Sequence, residues 1–347
     1  MDTSKNKIIN QSALFLKYKS SYTSAFIDYS INILLLCVGQ YTIYYLKDNM
    51  CVYLLIPVMS LLNIKTFMPL HDSIHGSYTP NSTLNYIIGT LSGILTCTSS
   101  YNWGLDHNTH HLTNGAINNS YNYPFNETLR LKYHDYKSFT PIKKKIYKIL
   151  LHPSVQFSLG ATVYYGFIQR FFYIFKKLKY KQKINESMST IVFNHTVNNC
   201  GIMVLLFIMS KIGTLHLFLL YIHISHIIGF LLFFNQHTFN PAYVVDWKEY
   251  TQQDSGLNGS SFIMIPKYFK YFFGGIEYHH IHHMNAKIPG YNLQKYHEEV
   301  VSKNNMFDNI VKLSMANCYT NLWLAMYDED RKKYITFAEA DRIEYRK

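Results

Sequence analysis

The chain has 347 residues and a formal net charge of +12, from 33 lysine and arginine residues against 21 aspartate and glutamate residues. Such an excess of positive charge is typical of proteins that bind a nucleic acid or an anionic membrane surface. No zinc-finger, RNP-type or helix-turn-helix signature accompanies it, so we expect no nucleic-acid partner. The five cysteines are scattered without a CxxC pair, which excludes a disulfide framework and a thiolate metal site.

Two long uncharged segments near the amino terminus predict a helical hairpin. The mean hydropathy of −0.07 is that of a soluble protein, but the average conceals these segments. Residues 29–46 contain no charge and are about long enough to cross the hydrocarbon core of a bilayer. Residues 50–64 form a second run that continues to residue 70. Because only residues 47–49 separate the two runs, we expect two adjacent antiparallel helices.

A second hairpin is predicted further along the chain. Residues 197–209, with a start as early as 190, form one spanning candidate, and residues 214–234 form the clearest. Residues 84–103 are uncharged but diluted by glycine, serine and threonine. Residues 262–276 are broken by Lys267 and Lys270 and are typical of an interfacial segment.

Basic residues orient these segments in the membrane. Lysines 5, 7, 17 and 19 place the amino terminus in the cytosol, and basic clusters at 143–145 and 176–183 flank the apolar residues 153–175. If both clusters are cytosolic, that segment lies along the membrane or re-enters it. We therefore predict an all-α polytopic membrane protein with four spanning helices in two hairpins, located in the endoplasmic reticulum membrane if the host is eukaryotic.

One continuous unit is expected, because no internal repeat or Gly/Ser linker divides the chain. Within it we distinguish a cytosolic amino-terminal segment, a membrane domain with a cytosolic cap, and a carboxy-terminal tail packed on the cap. Their predicted bounds are 1–28, 29–300 and 301–347.

Histidines carry the chemistry of this sequence. Ten of the 17 histidines lie in three short boxes or at one isolated position. Spacings of three and four within the boxes place side chains on one face of a helix. The boxes are His71 with His75; His107 with His110 and His111; and His279 with His280, His282 and His283; the isolated residue is His237.

The predicted topology brings these histidines to one side of the membrane. His71 follows the second spanning segment, His237 follows the fourth, and the third box comes after His237 without another crossing. The second box lies on the same side of the membrane if residues 84–103 do not cross the bilayer. Eight or nine imidazoles exceed the ligand set of one zinc ion and indicate two metal ions. Imidazole suits iron, zinc, copper and nickel alike, so the ligand type leaves the metal open.

The remaining histidines lack this spacing. We expect structural or surface roles for five of them: His134, His152, His195, His216 and His297. His223 and His226 lie within the fourth spanning segment, deeper than the boxes, and we expect them to pack between helices or to line a tunnel.

The histidine boxes, in this order, resemble those of the membrane fatty-acid desaturase family. The first box reads HDSIHGS from residue 71, the second reads HNTHH from residue 107, and QH stands at residues 236–237. Residues 259–266, 274–283 and 285–293 are also similar to the family, with weaker similarity at 324–329. The resemblance covers residues 50–337 and is closest to the acyl-lipid, Δ12/ω6-like branch.

The resemblance implies an enzyme that uses two non-haem iron ions and O2 to place a cis double bond in an acyl chain of a lipid or of acyl-CoA. Two electrons would come from a separate cytochrome b5 or ferredoxin, because the sequence contains no haem-binding HPGG motif. His280, Asp72 and Asn108 would support the ligands. The implied iron ligands are His71, His75, His107, His110, His111, His237, His279, His282 and His283.

Two alternative functions fit the same residues. A di-iron membrane hydroxylase of a lipid, alkane, sterol or carotenoid would use the same ligands and differ in its product. A histidine-rich metal transporter would also bind metal, but transporters carry their polar ligands near the middle of the membrane and at helix breaks. The boxes here lie at the predicted membrane boundary, which favours the enzyme.

Overall fold

The computed structural model describes residues 17–117, 131–170, 187–303 and 305–345. Its α-helices are α1 Tyr22–Leu46, α2 Ile56–Ile74, α3 Ser82–Leu95, α4 Ser100–Thr113, α5 Tyr133–Lys137, α6 Pro141–Leu150, α7 Ala161–Val163, α8 Met188–Lys211, α9 Leu215–His237, α10 Gln252–Asn258, α11 Lys270–Phe273, α12 His279–Met284, α13 Gly290–Glu299, α14 Met315–Asn321 and α15 Phe337–Tyr345. The strands are β1 Ala116–Ile117, β2 Val245–Asp246, β3 Phe262–Ile263, β4 Lys312–Leu313, β5 Met326–Asp328 and β6 Lys333–Ile335.

The described strands form only three two-stranded ladders. The pairs β1–β2 and β3–β4 are parallel and two residues long, and β5–β6 is a short antiparallel hairpin. Such ladders fasten loops to one another and build no sheet. The prediction of an all-α polytopic fold is confirmed.

Four of the described helices are long and apolar enough to cross a membrane, as predicted from the sequence. They are α1, α8, α9 and the continuous helix Met50–Ile74, in which a 3-10 turn leads into α2. The predicted first helix began at residue 29, whereas α1 begins at Tyr22 because the Ser21 hydroxyl caps it by accepting from the N–H of Ser24. The segment tolerates Asp28, whose charge had set the predicted boundary, because Lys65 pairs with it.

The two hairpins open in the same direction. Lys47 lies in the loop after α1, and its ammonium donates to the carbonyl of Ile212 in the loop after α8, at 3.0 Å. Met59, Met209 and Leu217 from three of the helices meet in the main apolar core. Because both loops lie at one end of the bundle, the ends of α2 and α9 meet at the other.

Residues 82–113 do not cross the membrane. They form two 14-residue helices, α3 and α4, joined by a tight turn in which Cys97 adopts a positive φ of 53°. A helix of this length spans about 21 Å, shorter than the roughly 30 Å hydrocarbon core. The chain therefore turns back at the α3–α4 junction, and α4 returns to the end of α2 at which α3 began.

The apolar segment 153–170 packs against α9. It contains two π-helical stretches, Ser154–Gly160 and Tyr164–Ile168, around α7. The ring of Phe157 lies edge-on to Phe234 at a centroid distance of 5.0 Å. Residues 171–175, the basic cluster 176–183, and lysines 5 and 7 lie outside the described residues.

A cap covers the end of the bundle at which α2 and α9 finish. Its core contains α12 and α13, and the Tyr18 hydroxyl, ahead of α1, donates to Glu299 at 2.5 Å. The carboxy-terminal residues pack on α5 and α6, where Lys148 pairs with Asp341 at 2.7 Å. The cap thus contacts residues that precede α1 in the sequence.

The ion pair within the bundle predicts an asymmetric loss of stability. The Lys65 ammonium lies 2.6 Å from Asp28, and the Tyr78 hydroxyl also donates to Asp28 at 3.0 Å. Asp28→Ala leaves a buried ammonium unpaired and should lower the free energy of unfolding by about 3–5 kcal/mol. Lys65→Met should lower the free energy of unfolding by less, because Asp28 stays partly exposed and still accepts a hydrogen bond from the Tyr78 hydroxyl. SDS titration in mixed micelles measures both; equal losses would contradict this explanation.

Candidate metal centre

The first two candidate ligands lie on the last turn of α2. His71 and His75 face each other with ring centroids 5.2 Å apart. The helix ends at Ile74 with His75 as its C-cap residue, and Gly76 follows with a φ of 62°, a conformation that favours glycine. The chain can therefore leave the helix immediately after the second imidazole.

The second box lies on α4, as its spacing predicted. His107 and His111 are one turn apart, and their Nε2 atoms are separated by 3.1 Å. Trp103, one turn earlier, stacks on the His107 ring at 4.2 Å. His110 points toward α9, where its Nε2 lies 3.0 Å from that of His237.

The third box and His237 complete the arrangement. Helix α12 is only six residues long, and it buries His279, His282 and His283. The Nε2 of His279 lies 2.9 Å from that of His237 and 3.0 Å from that of His283. The Nε2 of His282 lies 3.0 Å from that of His111.

These side chains form two groups, in each of which the nitrogen atoms lie within 4.8 Å of one another. The two groups touch, because the rings of His111 and His283 stack at 4.1 Å. Group 1 contains His71, His75, His107, His111 and His282, and group 2 contains His110, His237, His279 and His283. All nine predicted ligands are thus brought together.

Hydrogen bonds fix which nitrogen of two histidines is free to bind metal. The Nδ1 of His237 lies 2.9 Å from the carbonyl oxygen of Gly259, and the Nδ1 of His71 lies 3.0 Å from the carboxylate of Asp72. Both acceptors require Nδ1–H, so each Nε2 carries a lone pair. The Nε2 of His237 then faces the Nε2 atoms of His110 and His279 at about 3 Å.

This donor geometry fits a bound metal ion. Ligand nitrogens about 2.1 Å from one ion lie about 3 Å apart when they subtend a right angle. Four Nε2 separations in group 2 are 2.9–3.2 Å. A metal ion at their centre would give the lone pair of every unprotonated Nε2 a partner.

Burial also favours the neutral, ligating form of the imidazoles. Burial lowers the pKa of His75, His110 and His282 well below its usual range, and neighbouring imidazoles lower it further. The pKa of four more is lowered for the same first reason: His107, His111, His279 and His283. Since a metal ligand must be unprotonated, the site is ready to bind metal at neutral pH.

The three supporting residues take different positions. Asp72 contacts His71 and also accepts from the backbone N–H of Gly290 at 2.6 Å, so it ties the end of α2 to the cap. His280 is buried on the opposite face of α12, and burial lowers its pKa to about 3. Asn108 is exposed on α4 and lines a surface groove beside His75.

The other histidines lie outside both groups. His195 contacts Asn102 and Asn199, and His297 packs against Tyr278. Of the two histidines within α9, His226 lines a cavity and its Nε2 lies 3.1 Å from the carbonyl oxygen of Thr96. His223 instead contacts the Thr162 hydroxyl at 2.8 Å.

A narrow apolar cavity lies next to the histidines, and apart from the tunnel considered for His223 and His226 its lining was not predicted from the sequence. It runs between α2, α9 and the start of α4 and ends at histidines of both groups. Its walls include Phe67, Trp103, Phe233 and Gly229. The available signal was position: Trp103 and Phe233 each precede a candidate ligand by one helical turn.

The geometry predicts two metal ions per chain. His110→Ala removes a donor from group 2 and His282→Ala one from group 1, so each should lower the bound metal by about one ion or more per chain. His134→Ala, outside both groups, should leave the content unchanged. Metal analysis of purified protein measures this; unaltered content in both ligand variants would refute the assignment.

Comparison with known proteins agrees with this arrangement. The profile of the fatty acid desaturase family matches residues 49–307, which include all three histidine boxes and His237. A protein from Bacillus subtilis (strain 168), described as a fatty acid desaturase, is similar to this chain. The two are 28% identical over 283 residues, which cover 80% of this chain and 75% of the relative. The chain therefore belongs to the fatty acid desaturase family.

Proposed function

We propose that this protein is an O2-dependent fatty-acid desaturase that introduces a cis double bond into an acyl chain of a lipid or of acyl-CoA. The nine histidines of groups 1 and 2 would hold two non-haem iron ions. Family membership supports the reaction class, and one feature of the structure supports the chemistry most strongly. A single apolar cavity reaches both groups of histidines.

The position of the cavity supports this function. His71 and His107 of group 1 and His279 of group 2 all line it. A chain lying in this cavity would therefore pass beside both metal positions. Such a placement suits removal of hydrogen from two neighbouring methylene groups, because both carbons lie close to the centre.

The walls of the cavity suit a hydrocarbon. Apolar side chains dominate them, including Ile64, Met68 and Leu232. These residues offer an acyl chain contact without a polar partner, and they exclude water from the reacting segment. The Gln236 amide lines the same cavity and donates to the carbonyl of Ile276 at 2.9 Å, so that polar group is already satisfied.

The histidines would hold two iron ions, and the groups hydrogen-bonded to the histidines would orient them. The bound iron pair would supply the oxidation of an unactivated C–H bond by O2. Asp72 and the carbonyl of Gly259 hold His71 and His237 with Nε2 directed inward. In the overall reaction the chain loses two hydrogen atoms, and O2 becomes two waters after accepting two further electrons and two protons. No side chain of the site supplies those electrons.

A separate cytochrome b5 or ferredoxin is the electron donor that we propose. Exposed lysines on the cap, such as Lys287 and Lys312, would favour an acidic partner by charge complementarity. This arrangement requires the cap to face the cytosol. In a eukaryotic host the protein would lie in the endoplasmic reticulum membrane.

Product analysis tests the proposed reaction. Wild-type protein expressed in a desaturase-deficient yeast should yield a new monoenoic or dienoic ester. His110→Ala and His282→Ala should abolish it without changing membrane insertion, because each leaves one group incomplete, whereas His134→Ala should retain it. Gas chromatography with mass spectrometry of the fatty esters distinguishes the outcomes; a hydroxy-ester in place of an olefin would show a hydroxylase instead.

The cavity makes a second prediction at Gly229. A side chain added there would meet no protein atom within 4 Å at its Cβ, so Gly229→Leu should fold and occupy the cavity. We expect activity to fall about tenfold or more while bound iron is unchanged. Gly229→Ala, which adds one carbon, is the matched control and should lose less. Full activity in Gly229→Leu would show that the acyl chain lies elsewhere.

A further inference from the structure

A second, larger cavity adjoins the one that reaches the histidines. Its volume is about 800 Å³, within the range of about 300–1,000 Å³ usual for small-ligand sites. Its lining comes from α5 and its flanking residues, α6, the 153–168 segment, the end of α9 and the carboxy-terminal residues 324–334. We call it the outer cavity, and the one at the histidines the inner cavity.

Two aromatic side chains separate these cavities. Phe233 and Tyr165 line both of them. The ring of Phe233 also packs against two candidate ligands, edge-on to His110 at 5.1 Å and to His237 at 5.3 Å. The two cavities therefore adjoin each other at these two side chains.

Helix α6 shows what lies outside the outer cavity. Ile142, Ile146, Ile149 and Leu150 recur at helical spacing on one face, and all four are exposed. Lysines 143 and 145 flank that face along the helix. An exposed apolar face bordered by lysines is the pattern of a helix that lies in the membrane interface.

The opposite face of α6 is anchored to the protein. Lys148 forms an ion pair with Asp341, and the Lys144 ammonium lies over the Tyr136 ring at 5.4 Å from its centroid. These contacts direct the apolar face outward. Tyr147 and Leu150 of the same helix line the outer cavity, so its rim lies where the bilayer surface would be.

We propose that the outer cavity is a lateral portal through which the acyl chain of a membrane lipid passes from the bilayer to the inner cavity. The proposal rests on the proposed function and names its substrate class: an acyl chain still attached to a lipid whose head group stays at the interface. The chain passes between α6 and the 153–168 segment and displaces the Phe233 ring. Lys143 and Lys145 lie at the head-group level.

Two glycines on the same segment provide a matched test. Gly160 lines the outer cavity, and a Cβ there would make only an ordinary contact with the Val155 carbonyl at 3.4 Å. Gly166 lines neither cavity, and its Cβ would meet no protein atom within 4 Å. Gly160→Trp should lower product formation about tenfold or more with iron content unchanged. Gly166→Trp should retain wild-type activity, and Gly160→Ala should lose less activity than Gly160→Trp.

The outcomes separate the portal from the proposed function. Wild-type protein without any olefinic product would overturn the desaturase assignment itself. Active wild type with equally active Gly160→Trp would overturn the portal alone. Loss of iron or of membrane insertion in Gly160→Trp would make Gly160→Leu the deciding variant, and wild-type activity in it would also overturn the portal.

A labelling experiment tests the substrate class. Bacterial cells with isotope-labelled phospholipids are treated with an inhibitor of fatty-acid synthesis, and expression of the protein is then induced. Intact-lipid mass spectrometry should find double bonds in labelled phospholipids that keep their original head group and second chain. Double bonds confined to purified acyl-CoA supplied to isolated membranes, with labelled phospholipids unchanged, would contradict the proposal.

Discussion

The convergence of nine imidazoles, eight of them buried, is the constraint on which the rest of the structure depends. Burial lowers the pKa of seven of them and so favours their neutral form, and in group 2 Nε2 atoms approach to about 3 Å. Where two unprotonated Nε2 atoms meet at that distance their lone pairs repel, and a shared positive ion removes the repulsion. Every element of the fold that positions a histidine therefore helps to bring the imidazole nitrogens together.

A few elements of the topology bring the histidines together. Two hairpins that open in the same direction bring the ends of α2 and α9 together, and the pair α3–α4 returns without crossing. The short helix α12 then closes the centre from the cap, where Asp72 links α2 to the backbone of Gly290. Apolar walls extend inward from the same place, so the two histidine groups and the inner cavity share their helices.

Much of this could be predicted from the sequence, because its determinants are local. Charge-free runs predicted the four spanning helices, and spacings of three and four predicted which imidazoles share a helix face. The shape and lining of the cavities could not be predicted, since they depend on how Gly229 and Phe233 of α9 pack against Tyr165 from another segment. The separate roles of His223 and His226 also depend on packing. The predicted Δ12/ω6-like branch stays a prediction.

Anomalous diffraction from crystals of the iron-loaded protein, recorded on both sides of the iron absorption edge, would locate the metal ions. We expect two iron peaks, one among the nitrogens of His71, His75, His107, His111 and His282 and the other among those of His110, His237, His279 and His283. A single peak, or a metal bound away from these side chains, would contradict this expectation.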